Sequence, residues 1–149
     1  SHNGRVTSRT LEDYSSEDIE NEHMPSGIAK FHKEDLFTFL NNTIENYDLI
    51  ILSNILHFFS WEKQKETILL ALTKLSAKGI IFARIANKFH SNATEKVLYG
   101  YNHFLNKRDI VELNSIADVI SLPKGKENYD LTPLRKRVIH YDLILKEKK

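Results

Sequence analysis

Between Tyr47 and Phe89 the chain runs through an apolar stretch, a polar turn, an amphipathic segment and a second apolar stretch, a succession that few architectures can accommodate. Tyr47 to Leu52 is short, continuous and rich in isoleucine and leucine, the pattern of a strand buried on both faces by flanking helices. Ser53 and Asn54 interrupt it at its carboxyl end. From Trp61 the period becomes helical, with Ile68, Leu69, Leu72 and Leu75 on one stripe and Lys63, Lys65, Glu66 and Lys74 largely off it. Ser60 is placed to cap this helix, and Gly79 to end it in the left-handed conformation. Ile80 to Ala83 then forms a second buried strand. Two buried strands joined by a helix of about four turns lie parallel with a right-handed crossover. Ser53 to His57 and Arg84 to Asn87 are thereby predicted to share the carboxyl edge of one sheet, where open α/β sheets bind their ligands.

The flanking segments extend this unit. Ile28 to Phe31 reads as a strand followed by the acidic turn Lys33-Glu34-Asp35, and Leu36 to Asn41 begins a helix. Asn92 with Glu95 has the form of a capping box opening a helix through Val97, Leu98 and Tyr101. A further helix is predicted after Asn106, with Asp109 in its first turn and Ile110, Val111 and Leu113 as its apolar face. Ile116 to Leu122 and Arg137 to Lys146 read as strands that pair as an antiparallel hairpin across a loop from Pro123 to Lys136.

Composition narrows the chemistry. A chain of 149 residues is one domain by length. Its net charge of +1 argues against a nucleic-acid domain dominated by phosphate contacts. Charge is uneven, with six acids and no bases from Leu11 to Glu22 and a basic tail from Lys124, and both stretches read as solvated surface. The absence of cysteine excludes disulfides and thiolate metal sites. The seven histidines lack His-Glu-x-x-His spacing, so no metal site is predicted. Neither a phosphate-binding Gly-x-x-x-x-Gly-Lys loop nor a Gly-x-Ser-x-Gly elbow is present. No apolar stretch approaches the roughly 20 residues that span a bilayer, and the amino terminus lacks a secretion pattern. The expectation is a soluble, cytoplasmic protein with no membrane partner.

Three stretches carry a family resemblance. Tyr47-Asp48-Leu49-Ile50 with Leu56-His57-Phe58-Phe59 resembles the fourth strand and following turn of class I S-adenosylmethionine-dependent methyltransferases. Leu75-Ser76-Ala77-Lys78-Gly79-Ile80-Ile81 resembles the opening of their fifth strand, and Phe104-Leu105-Asn106-Lys107-Arg108-Asp109-Ile110 the start of their late helix. The order from Ile28 onward is similar to the C-terminal two-thirds of that family. It implies an α/β fold with a Rossmann-like, doubly wound, mostly parallel sheet and an antiparallel C-terminal strand pair. The family's glycine-rich first strand has no full counterpart here; Asn3-Gly4-Arg5 looks like the tail of its turn. The expected organisation is one methyltransferase-like domain over residues 1–149, incomplete at its amino-terminal end, with the missing strands truncated or rebuilt. A longer polypeptide, other strands, or a second copy in a homodimer would each fill the gap, because unpaired backbone groups in a core cost on the order of 1 to 3 kcal/mol each.

The resemblance implies S-adenosylmethionine as cofactor, S-adenosylhomocysteine as product and a small-molecule methyl acceptor. By position, Asn3 and Gly4 approach the cofactor, Asp35 meets the adenine amino group, and Leu36 donates its backbone N–H to the ring. Asp35 is equally suited to cap the following helix. Ser53 and Asn54 contact the cofactor's amino-acid part or the acceptor, or simply form a turn. His57 is the candidate catalytic base for an acceptor hydroxyl or amine; the alternative is a half-buried histidine bonded to backbone. Arg84, Asn87 and Tyr101 are candidate acceptor-binding residues, with Tyr101 in an aromatic cluster that also suits core packing. Methyl transfer demands mainly alignment and exclusion of water, so no nucleophile motif is needed. A catalytically inactive binding or scaffolding module of the same fold is the alternative function, and a nicotinamide-dependent oxidoreductase is disfavoured by the lack of a complete Gly-x-Gly-x-x-Gly turn.

Overall fold

The computed structural model describes residues 30–88, 90, 100–132 and 135–148, and the chain divides into a unit ending at Asn42 and a unit over Thr43–Lys149. The described part of the first unit is helix α1, Leu36–Asn42. Asp35 caps it: its Oδ2 accepts from the Thr38 backbone N–H at 3.0 Å and from the Thr38 hydroxyl at 3.3 Å. Lys30 and Phe31 are not in a strand; the rest of that predicted strand, Asn3, Gly4 and the predicted helix from Asn92 lie outside the described residues.

The second unit is α/β. Its elements run β1 (Tyr47–Ser53), a 3-10 turn (Leu56–Phe58), α2 (Trp61–Leu72), β2 (Leu75–Ala86), α3 (Lys107–Leu113), β3 (Asp118–Ser121), a 3-10 turn (Lys126–Asn128), β4 (Tyr129–Thr132), β5 (Arg135–Val138) and β6 (His140–Lys146). One sheet has the order β1-β2-β6-β3; β4 and β5 form a separate two-stranded ribbon. As expected, β1 and β2 are parallel, with Leu49 beside Ile80 and Ile50 beside Ile81. The β3–β6 pair is antiparallel, as predicted, but so is β2–β6. The described sheet is therefore mixed rather than mostly parallel, because only β1 and β2 are joined by a crossover helix.

Burial follows from this order. In the central strand β2, Ile81, Ala83 and Ile85 are fully buried while Phe82 and Arg84 are partly covered. At the described edge, β1 is half wrong as a fully buried strand: Leu52 is 2% exposed but Leu49 and Ile51 are 50% and 61% exposed. Helix α2 packs on β2. Ser60 caps it, accepting from the Lys63 N–H, and Ile68 and Leu72 of the predicted stripe are buried, but the buried face also takes in Gln64, Thr67 and Ala71. Leu69 is exposed and Leu75 belongs to β2. The face rotates toward Gln64 because its amide donates to the carbonyls of Phe59 and His103, both at 3.1 Å, which an apolar count does not register.

Gly79 also has a different role. The helix ends at Thr73 in the ordinary right-handed conformation, and Gly79 sits inside β2, where the register jumps between Tyr47 and Leu49. A Cβ there would lie 2.7 Å from the Tyr47 carbonyl oxygen and 3.1 Å from the Ser76 nitrogen. The glycine lets the two backbones approach at this bulge. Gly79→Ala is expected to cost about 1 to 3 kcal/mol through overpacking, measured by denaturant unfolding; an unchanged midpoint would mean the bulge relaxes freely.

At the other end, α3 begins with a full capping box: Asn106 accepts from the Asp109 N–H and the Asp109 carboxylate accepts from the Asn106 N–H, both at 3.0 Å. The two described helices of this unit meet through Trp61 Nε1, which donates to Glu112 at 2.9 Å, and through the Lys65–Glu112 ion pair. The predicted strand Arg137–Lys146 is two strands parted at Ile139, whose N–H donates to Asn128 and whose carbonyl accepts from Asn87, both at 2.8 Å. The predicted loop before it holds β4 and the start of β5. No helix among the described residues is long and apolar enough to cross a membrane.

Candidate functional site

The carboxyl ends of β1 and β2 are bound into one edge. Asn54, the residue after β1, has φ 58°, a left-handed conformation that asparagine tolerates better than most side chains. Its N–H donates to the Arg84 carbonyl at 2.9 Å, tying the turn to β2. This tight turn leaves Ser53 and Asn54 exposed at the end of the strand. The chain then enters the 3-10 turn that carries His57.

His57 is 4% exposed. Its Nδ1 accepts the Ala86 backbone N–H at 3.2 Å, so the ring proton of the neutral imidazole is on Nε2. Burial, with His140 and His90 close by, pushes its pKa down to about 4. Its carbonyl accepts from the N–H groups of Asn102 and His103 at 2.9 and 3.2 Å. His57 therefore fits the backbone-bonded alternative: side chain and main chain together join the turn after β1, the end of β2 and the segment before α3. That segment closes the edge, since Leu105 donates to Ala86 at 2.9 Å and receives from Lys88 at 3.0 Å, forming a parallel bridge with Asn87.

An aromatic cluster covers the turn. Tyr101 lies with ring centroids 5.0 Å from both His57 and Phe58 and 5.2 Å from Phe104. His90 bridges from Phe104 to His140, with which it makes an edge contact at 5.0 Å. Tyr101, expected at the end of the helix opened by Asn92, is not helical; it lies beside His57 within a packed aromatic cluster.

Arg84 and Asn87 separate. Arg84 grips the Asp142 carboxylate with two hydrogen bonds, Nε to Oδ1 at 2.7 Å and Nη2 to Oδ2 at 2.9 Å. The Asn128 amide donates to the same carboxylate at 2.9 Å. These bonds hold the Asp142 carboxyl below the usual carboxylate range and raise Arg84. The guanidinium thus has a structural anchor on β6. Asn87, 3% exposed, instead lines a cavity of about 730 Å³ just beyond β2, and its side chain hydrogen-bonds the Tyr141 hydroxyl.

The same cavity is lined by Lys88, Lys107, Arg108, Arg137 and Tyr141, which sequence reasoning passed over. The basic residues after Lys124 read there as solvated surface. The only available signal was the pairing of Asn87-Lys88 at a strand end with Lys107-Arg108 at a helix start, two positions that the topology brings to one edge. Asp35 and Leu36 belong to the first unit, with Asp35 engaged as the cap of α1.

No protein-family model and no curated protein sequence matches the chain. Solved structures do. An O-methyltransferase family protein from Burkholderia thailandensis superposes with TM-score 0.62 at 15% identity, over 93% of this chain and 41% of that one. A SAM-dependent methyltransferase from Archaeoglobus fulgidus gives 0.58 at 13% identity, over 89% and 73%. Magnesium protoporphyrin IX methyltransferase from Synechocystis, solved with bound SAH, gives 0.54 at 12% identity, over 89% and 59%. The chain thus spans less than two thirds of the first and third of these neighbours. Strand order, the crossover unit and these superpositions agree that the fold is that of the class I S-adenosylmethionine-dependent methyltransferases.

Proposed function

We propose that the protein transfers a methyl group from S-adenosylmethionine to a small-molecule acceptor. The observation that carries this reading is the parallel β1–β2 pair ending in two exposed polar residues, Ser53 and Asn54, on the edge that also holds Asn87. A left-handed turn pinned to β2 keeps those two side chains out of the helix that follows and free to meet a ligand. In this reading the sheet is doubly wound and continues past β1, whose exposed Leu49 and Ile51 would then be covered.

The cofactor's sulfonium supplies an activated methyl group, so the protein's task is alignment and dryness. Ser53 and Asn54 hold the cofactor's amino-acid part, and Asn87 lies on the acceptor side. His57, neutral and bonded to Ala86, fixes the turn that carries them; it acts as a positioning residue rather than as the proton acceptor. Tyr101 and Phe58 form an apolar cover over that turn. Asn3, Gly4, Asp35 and Leu36 are the remaining proposed cofactor contacts, by resemblance.

Calorimetric titration of S-adenosylhomocysteine into the full-length protein tests the reading. Binding in the micromolar range is expected, and Asn54→Gly should weaken it about tenfold, the loss of one good hydrogen bond. Glycine keeps the left-handed turn while deleting the amide, so thermal stability should stay within about 0.5 kcal/mol of the parent. A folded full-length protein that binds no S-adenosylhomocysteine would sink methyl transfer.

A further inference from the structure

We propose that His57 is an acid-released clasp: a proton arriving on its ring unlatches the end of β2 and the backbone of Asn102 and His103 from the turn after β1, the turn that carries Ser53 and Asn54. The device belongs to the fold and needs nothing from the methyl-transfer reading.

The first argument is where the proton would have to go. His57 Nδ1 accepts the Ala86 N–H at 3.2 Å, so the neutral ring carries its one hydrogen on Nε2. The nitrogen left to protonate is the one that already faces a donor. A proton placed there sets two N–H groups against each other, and the bond to Ala86 is lost. The ring is also 4% exposed, and a charge at that depth with no acceptor is expensive. Protonation and departure of the ring are therefore one event.

The second argument is what leaves with it. The carbonyl of the same residue accepts from the Asn102 and His103 N–H groups at 2.9 and 3.2 Å. One residue thus holds β2 through its side chain and the segment before α3 through its main chain, so displacement of the ring pulls on both.

The third is that the surroundings do not welcome the charge. The ionisable groups facing His57 are His140 on β6, His90, and Tyr101 and His103 on the segment before α3. Burial first, then His140 and His90, hold its pKa down to about 4. Arg84 and Lys124 act in the same direction on His140, which Asp142 partly opposes. The nearby carboxylates are already engaged, Asp142 by Arg84 and Asn128, and Asp109 by His103 and the cap of α3. A histidine depressed in the folded state contributes above its unfolded value and loses that contribution as pH falls. The clasp is at full strength above pH 6.5 and fades toward about 4.

Hydrogen exchange of individual amides in the full-length protein, corrected for intrinsic rates, tests the clasp. Protection at Ala86, Asn102 and His103 should lie below that at Ile81 and Leu145, both fully buried in the sheet, and should fall about tenfold or more between pH 7.5 and pH 5. His57→Gln can offer Ala86 an amide oxygen that does not titrate, and should flatten that fall at the three amides. The ring nitrogen resonances of the parent give a second readout that needs no variant: Nε2–H alone at pH 7, and the doubly protonated ring only as Ala86 protection is lost. Protection that does not change with pH, a ring that takes up its proton while Ala86 stays protected, or three amides that exchange only together with Ile81 and Leu145 would each overturn the proposal.

Discussion

Asp142→Ala is expected to destabilise the protein by about 3 to 5 kcal/mol, the cost of stripping one partner from a buried charge cluster. Asp142, 6% exposed, faces Arg84 directly across the β2–β6 ladder. Its carboxylate receives both Arg84 bonds and the Asn128 amide. It is also the favourable charge for Lys124, whose ammonium nitrogen is buried without a hydrogen-bond partner. Alanine would leave a guanidinium, an ammonium and an amide facing one another with no acceptor. Asp142→Asn retains an acceptor and should cost distinctly less. Urea unfolding at neutral pH measures both, and a loss below about 1 kcal/mol for alanine would show that the cluster behaves as an exposed surface pair.

Acidification from pH 6.5 toward 4 should destabilise the fold by at least about 3 kcal/mol. His57 and His140 are both held down to about 4 from an ordinary 6.5, chiefly by burial and next by neighbouring histidine charge, with Arg84 and Lys124 adding to His140 and Asp142 partly opposing. His90 is lowered in the same direction by burial. These folded-state values lie below the unfolded one, so the unfolded chain takes up protons first as pH falls. Their contribution to stability is complete above pH 6.5 and is lost progressively down to about 4. Only below that window does Asp142, whose carboxyl is depressed, begin to lose its own contribution. Melting temperature followed from pH 7.5 to pH 5 reads the effect, and His140→Leu should flatten the curve. A curve already flat in the parent would mean that these rings stay accessible to protons in the folded state.

Much of the fold was legible because its causes are local. Ser60 and Asn106 announce their helices by cap chemistry within three residues, and the apolar runs at β1 and β2 mark their strands. What escaped the sequence depends on distant partners. Gly79 follows a helical pattern and so resembles a helix end, yet its constraint is the Tyr47 carbonyl on the neighbouring strand. The alternation from Arg137 to Lys146 runs unbroken through Ile139, whose backbone is diverted to Asn128 and Asn87. At the candidate site, Ser53, Asn54 and His57 were legible as the turn that ends a strand, whereas Tyr101, read as part of a helix, is non-helical and meets His57 only through the fold. Arg84 was read toward an acceptor, whereas its guanidinium is taken by Asp142, a partner from the far end of the chain. The cations that line the cavity beyond β2 were invisible for a plainer reason. Each is an ordinary surface lysine or arginine until the topology assembles them.

The order β1-β2-β6-β3 has a consequence for synthesis. Both β2 and β3 take their antiparallel partner from residues 140–146, so neither is secured until that stretch has left the ribosome. At about 5 to 20 residues per second, β2 waits several seconds with one flank bare and an isoleucine-rich edge on display. A nascent chain of this kind depends on being shielded during that interval, and stalled translation before residue 140 would release a species prone to clump rather than a partly working protein.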